Sequence, residues 1–431
     1  MVFIVKYKVN PFLVLIMACL FLGLSTGMTP MKVVASVTAG MSSTLGFISI
    51  VIGFGTMIGK LMGESGAAEV IAKRMINIFG EKNLDWAMMC VAFIIGISVF
   101  FQVGVVLLIP LLFTLCLRTG VSLITISVPL IATLSTLHHY VPPHPAAMAV
   151  VQLFHADLAK SLIYGLIVSI PCAIIGGPIY GRYIGNKMNI KPPAEMVEKF
   201  CGKAKTHDNP PSFAVAVFTM LFPIGLMLLS KVADLFLVKG SLIYEVFKFV
   251  GDGSMALLFA LLLTLYTFGY SRGFTKEQLQ KFTTECLGPV AMILLVIGAG
   301  GAFGNILVSS GVAKAVAAAA ASVNMPPLLF GWLLGAIIRI SVGSATVAMM
   351  TAGGLVLPLV APGAGTSPEL MLMAIGAGAC ALSHVNDSGF WLVKECFGMT
   401  VEQTLKTWSV AITIVSFVGL AIVMIMSALG M

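Results

Sequence analysis

Charge is what this sequence has least of. Of its 431 residues, 25 are Lys or Arg and 17 are Asp or Glu, 10% in all, against 59% hydrophobic. A soluble domain carries about 25% charged residues, so these are too few to clothe a solvated surface, and a soluble enzyme or nucleic-acid binder is excluded. Short alternating segments are also missing, which excludes a membrane barrel; apolar runs of about 20 residues recur instead and read as spanning helices. The first run, from Pro11, passes into further spans with no small-residue cleavage site, so it is not a secretory signal. The eight cysteines form no CxxC pair and mostly lie in apolar runs, where they serve as small packing residues. There is no HExxH, GK[ST] or GxSxG, and with them go a zinc-protease site, a nucleotide loop and a nucleophile elbow. Neither metal nor cofactor is expected.

What is present is an echo. Residues 51–66, VIGFGTMIGKLMGESG, return as residues 296–311, VIGAGGAFGNILVSSG. The match pairs Gly53/Gly298, Gly55/Gly300, Gly59/Gly304, Ser65/Ser310 and Gly66/Gly311 at an offset of 245. Leu137 and His139 fall on Leu382 and His384 at the same offset. Two halves of one design in a membrane chain point to a transporter with its site between the repeats.

The spans read as 11–28, 44–62, 85–117 (interrupted at FFQVG and Pro110), 121–155 (broken by HHYVPPHP) and 161–184, then 212–231, 253–270, 286–308, 326–361, 368–395 and 408–430. Residues 1–184 thus form a first repeat, 185–211 a hydrophilic linker with five Lys, placed in the cytoplasm, and 212–431 a second repeat. The loop after the first glycine motif is basic (Lys73, Arg74, Lys82), whereas the loop after the second has only Lys314. Equivalent loops on opposite sides mean inverted repeats. The fold class is therefore an all-α polytopic membrane protein whose two inverted-topology repeats bring broken helices or re-entrant hairpins together near the bilayer midplane. Helix 212–231 has no first-half counterpart beyond MVFIVKYKVN, so the chain reads as beginning inside a helix of a longer version.

GTMIGKLMGESGAAE (55–69), FFQVGVVLLIPLLF (100–113), YVPPHPAA (140–147), IGAGGAF (297–303), RISVGSATVAMMTAGGLVLP (339–358) and SHVNDSGFWLVKECFGMT (383–400) occur in order over nearly the whole chain. With them the chain resembles the gluconate permease family of bacterial proton symporters, within the ion transporter superfamily of inverted-repeat carriers. The resemblance implies a multi-pass protein of the bacterial inner membrane, a homodimer, carrying protons with gluconate, another sugar acid such as idonate or fructuronate, or D-serine. Three departures accompany it. The family usually begins one helix earlier. Its members carry glutamate where this chain has Gln102, which makes Gln102 an engineered mimic of the protonated acid or a natural uncoupled variant. Gluconate-type members usually have lysine where Gly304 or Asn305 stands, a feature closer to the D-serine type, although the HVND stretch looks like the gluconate type.

Irregular backbone at bilayer depth is tolerated only where it is buried in protein or lines a cavity. Breaks are expected at 100–104, 140–145 (Pro142, Pro143), 341–346 (Gly343) and 383–389, with Gly300 and Gly301 as further break and packing positions. Helix N-termini exposed at breaks favour an anion, and Ser344 and Thr346 add hydroxyl donors; alternatively these small residues only permit close packing. Gln102 meets substrate hydroxyls or ties two helices together. His384 and Asn386 bind hydroxyls. Asp387 carries a proton or accepts from substrate, or else it pairs with Lys394 or caps the next helix. His139 is a further proton-coupling candidate. Arg339 finds an acid, finds carbonyls or snorkels, and Lys60 with Glu64 forms a structural ion pair. Outside the carrier class, a membrane-embedded hydrolase hangs on Ser383 beside His384, and a passive channel would need repeated polar rings.

Overall fold

The computed structural model describes residues 7, 9–201, 209–312, 315, 318, 325–361 and 363–431, and every regular element among them is a helix. Eight helical stretches are long and apolar enough to cross a membrane. The chain is a multi-pass integral membrane protein.

In order, α1 (Pro11–Ser25) leads into α2 (Pro30–Glu64), α3 (Ala67–Phe79) and α4 (Leu84–Gly96). After a break come α5 (Phe101–Thr119) and α6 (Leu123–Tyr140); after another, α7 (Pro145–Phe154) and α8 (Leu158–Lys187). The linker contains α9 (Ala194–Cys201) and opens the way to α10 (Phe213–Phe236), α11 (Leu242–Val250) and α12 (Gly253–Arg272). The remainder is α13 (Lys276–Glu285), α14 (Ala291–Ser309), α15 (Pro327–Val342), α16 (Ala345–Val356), α17 (Pro368–Ala379), α18 (Ser388–Phe397) and α19 (Val401–Ala428). Starts follow local chemistry. Proline, which has no N–H to lose, occupies the first turn of α2, α7, α15 and α17, and Asp157 caps α8 by accepting from the Lys160 amide at 2.9 Å.

Two expected boundaries move. The second span is not 44–62 but the 35-residue α2. Its Ser- and Thr-rich front stays helical because the hydroxyls bond backward, Thr38 to Val34 O at 3.0 Å and Ser49 to Leu45 O at 2.6 Å. Nor is there an interruption at Pro110, which α5 accommodates, as membrane helices commonly do. Lys314, residues 202–208 of the linker and most of MVFIVKYKVN lie outside the described residues.

The offset seen between the halves reappears in element boundaries. Glu64 and Ser309, which end α2 and α14, lie 245 apart, as do Leu123 and Pro368, which begin α6 and α17. The glycine-motif helices α2 and α14 meet backbone to backbone: a Cβ on Gly40 would lie 2.6 Å from Gly301 O, and one on Gly301 would lie 2.8 Å from Gly40 O. Only glycine permits that approach. Gly300 faces Met350 of α16. Neither Gly300 nor Gly301 breaks its helix, which runs straight through them. Lys60 and Glu64 form an ion pair of 2.8 Å.

Candidate functional site

Four helices begin at breaks between helices, and their first turns reach one cavity of about 280 Å³. Phe100 and Gln102 bring the start of α5, Pro145 that of α7, Ser344 and Thr346 that of α16, and Asn386 and Ser388 that of α18. An apolar wall is added by Ile52 of α2 and by Met292, Ile293 and Val296 of α14. A second cavity of about 80 Å³ shares Gln102, His138, Ser344, Thr346 and Ser388 with the first and adds His139, Arg339 and Asp387. Helix N-termini carry partial positive charge and unpaired amides, so this arrangement suits an anion.

The two halves build their breaks differently. Between α15 and α16 the chain turns on Gly343, whose φ of +79° belongs to the left-handed region and whose Cβ, if present, would lie 2.1 Å from Asn386 O. Ser344 then caps α16, accepting from the Val347 amide at 3.4 Å. Between α17 and α18 the backbone passes through Leu382 at φ +42° to Asp387, which caps α18 by accepting from the Gly389 amide at 2.9 Å. The other Asp387 oxygen takes hydrogen bonds from the Arg339 guanidinium and the Ser383 hydroxyl. Arg339 also donates to Gly343 O, and Trp408 Nε1 donates to Ser383 Oγ at 2.7 Å. A buried arginine must find such partners, and here the acid and the carbonyl come from both second-half breaks. Lys394 bonds Glu395 instead of Asp387.

In the first half the capping residues are Phe100 and His144, and neither side chain caps its helix. The break between α6 and α7 holds Pro142 and Pro143, joined by a cis peptide bond. Three histidines surround it. His144 donates from Nε2 to Gly96 O at 2.6 Å, and His139 donates from Nδ1 to Ser135 O at 2.6 Å. Gln102 reaches both cavities, and no hydrogen bond joins its side chain to another described residue.

Of the residues singled out from sequence, Gln102, Ser344, Thr346 and Asn386 line the larger cavity, and His139 and Asp387 line the smaller. His384 lines neither: its Nε2 is bound to Ile340 O at 2.9 Å, at the end of α15. Ser383 donates to Asp387 and accepts from Trp408, so its hydroxyl is not paired with His384. Asn386 donates to the same carbonyl at 2.7 Å but keeps its Oδ1 without a partner.

The family model described as GntP family permease matches residues 1–429. The chain belongs to the GntP permease family. It is 45% identical to a gluconate permease of Pseudomonas aeruginosa, over 99% of this chain and 94% of that one. To a D-serine transporter of Escherichia coli it is 39% identical, over 97% of this chain and 93% of that one. Among solved structures, the YdaH transporter of Alcanivorax borkumensis superposes with a TM-score of 0.68 at 12% identity, covering 98% of this chain and 99% of that one, a likeness of fold. The family is one of transporters rather than enzymes, and its bacterial members fit an inner-membrane location. Within this permease, two features of the site escaped sequence reading. One is the pairing of Arg339 with Asp387, residues too far apart in the chain for any spacing rule. The other is His138, which opens onto both cavities; its signal is the HH pair ahead of two prolines.

Proposed function

We propose that this GntP family permease is a secondary active transporter that takes up gluconate or a related sugar acid together with a proton. One observation carries the reading: four helix N-termini, among them the starts of α5 and α7 without side-chain caps, face a single cavity. A carboxylate placed there receives backbone amides with no fixed cation. The hydroxyls of a sugar acid then meet Gln102, Ser344, Thr346 and the unpartnered Oδ1 of Asn386. At about 280 Å³ the cavity is of the size that suits a small ligand.

The architecture proposed for it is two inverted repeats, residues 1–184 and 212–431, joined by a cytoplasmic linker at 185–211. Element boundaries that recur at the sequence offset support this, as does the basic character of Lys73, Arg74 and Lys82. Alternating access would move the helices bearing the breaks against α2 and α14, which their backbone contact makes one unit. A homodimer is part of the same proposal.

D-serine is the second reading, favoured by the D-serine transporter among the relatives. The Gly304 and Asn305 positions do not decide it: Gly304 packs on Gly354, and Asn305 donates to Ser36 O at 2.8 Å, away from the cavity. The test is uptake of labelled gluconate into proteoliposomes, with and without an inward proton gradient, against unlabelled D-serine. Uphill accumulation driven by the gradient is expected. Saturable exchange that ignores the gradient would leave a carrier uncoupled at Gln102, and Gln102→Glu would then restore the pH response. Flux that neither saturates nor exchanges would remove the carrier assignment.

A further inference from the structure

We infer that His138 is the residue that takes up the coupled proton; the inference rests on the proton-coupled reading just given. The titratable and charged groups around the cavity are few. On α6 itself there is His139, on the α7 side His144, on α15 Arg339, and at the head of α18 Asp387. Four of these five groups, counting His138, are already engaged. Arg339 and Asp387 are paired with each other, although Arg339 Nε has no partner, and Asp387 also holds an amide and a hydroxyl. His139 and His144 each spend one ring N–H on a backbone carbonyl, which fixes their tautomers and seals them in the protein.

His138 differs from all of them. Among the described residues its ring has no hydrogen-bond partner, its Nδ1 is buried, and the residue lines both cavities. The rings of His139 and His144 flank it at 5.6 Å and 5.4 Å between centroids, edge-on to its own. Nε2, the nitrogen that is not sealed, is the one that exchanges protons with cavity water.

The step balances simply. The Nε2 lone pair of the neutral ring takes a proton from water admitted on one side of the membrane, and the imidazolium so formed stands beside the substrate carboxylate at the starts of α5 and α7. Substrate and proton then occupy the cavity as a neutral pair. On the other side the proton returns to water and the carboxylate loses its partner, so release of one favours release of the other. Among the described residues no group of three or more His, Cys, Asp or Glu side chains is placed to hold a metal ion.

The experiment is titration calorimetry of gluconate into the purified protein at neutral pH, in two buffers of different protonation heat, which gives the number of protons taken up per substrate bound. Binding to the native protein should take up a proton. His138→Gln, which keeps hydrogen-bonding capacity but cannot be protonated, should still bind gluconate and exchange it across proteoliposomes, yet take up none and lose uphill accumulation. His384→Gln, outside both cavities, should keep the native count. Gluconate binding to the native protein with no proton uptake overturns the inference whatever the variant does, and so does a His138→Gln protein that still takes up the native number. Failure of both gluconate and D-serine to bind the native protein overturns the transport reading as well, which separates the two failures.

Discussion

The breaks of the second half are closed upon themselves, whereas those of the first half are left open. Ser344 and Asp387 cap their helices, and the Arg339–Asp387 pair ties both breaks together. Phe100 and His144 cap nothing with their side chains, and the groups they leave near the cavity are amides and an unbonded imidazole. Identical internal repetition would have given the substrate two equal faces. The difference instead gives one wall tied together by its ion pair and one wall whose helix starts lack side-chain caps, and it is against the second that the proposed carboxylate would be placed.

Disrupting the rigid wall should have the largest effect. Arg339→Met leaves the Asp387 carboxylate buried without its cation, and we expect a loss of about 3–5 kcal/mol, seen as lowered thermal unfolding in detergent. Arg339→Met with Asp387→Asn should recover most of it; a single variant as stable as its parent would show that the pair does not hold the breaks. Next comes Gly343→Ala, which must force a side chain into a left-handed turn and against Asn386 O. About 2 kcal/mol or more should be lost, with gluconate binding, since the misplaced Asn386 and Ser344 both line the cavity. Ser344→Ala paired with Thr346→Val should be milder, weakening binding by roughly threefold to tenfold, as expected for one or two neutral hydrogen bonds. If affinity does not change, substrate hydroxyls do not reach the second-half wall.

The smallest effect concerns a link between the halves at Asp157, just ahead of the apolar stretch Leu158–Lys187. Asp157 accepts from Lys231 Nζ at 2.7 Å, and its own amide donates to Glu369 of α17 at 3.1 Å. Burial alone would raise its carboxyl, but the bonds from Lys231 and the Lys160 amide outweigh that and hold it below the usual range. A carboxyl depressed on folding stabilises above its unfolded value, near pH 4, and loses that contribution as pH falls through the folded value. Asp157→Asn, still a competent cap, should therefore cost less than about 1 kcal/mol at neutral pH and nothing at pH below the folded value. Unfolding curves across that range check it, and a penalty independent of pH would contradict the assignment to charge.

What sequence could reveal depended on whether a signal was local. The four breaks were legible because proline, glycine and polar residues interrupt apolar runs, and the glycine echo marked the two helices that meet at Gly40 and Gly301. Pro110 and the front of α2 misled for a shared reason: proline and hydroxyl residues signal loops in water, but in a membrane helix they are carried along by backward hydrogen bonds and neighbouring helices. Arg339 and Asp387 are separated by a helix hairpin, and only the fold brings them together. His138 and His139 are adjacent in sequence and sit one helical step apart, about 100° around the axis; helix phase, invisible in the letters, sends one to Ser135 O and the other to the cavity.

The length of α2 has a mechanical consequence. Lys32 and Lys60 stand 28 residues apart on one uninterrupted helix, about 42 Å along its axis. That is close to the thickness of a bilayer including its headgroups, about 40–45 Å, although the Lys60 ammonium is already held by Glu64. The helix is therefore long enough for membrane thickness to bear on its tilt. A thinner bilayer would be met by tilting it, and because the Gly40–Gly301 contact locks α2 to α14, the tilt would swing Ile52, Met292 and Val296 together against the cavity.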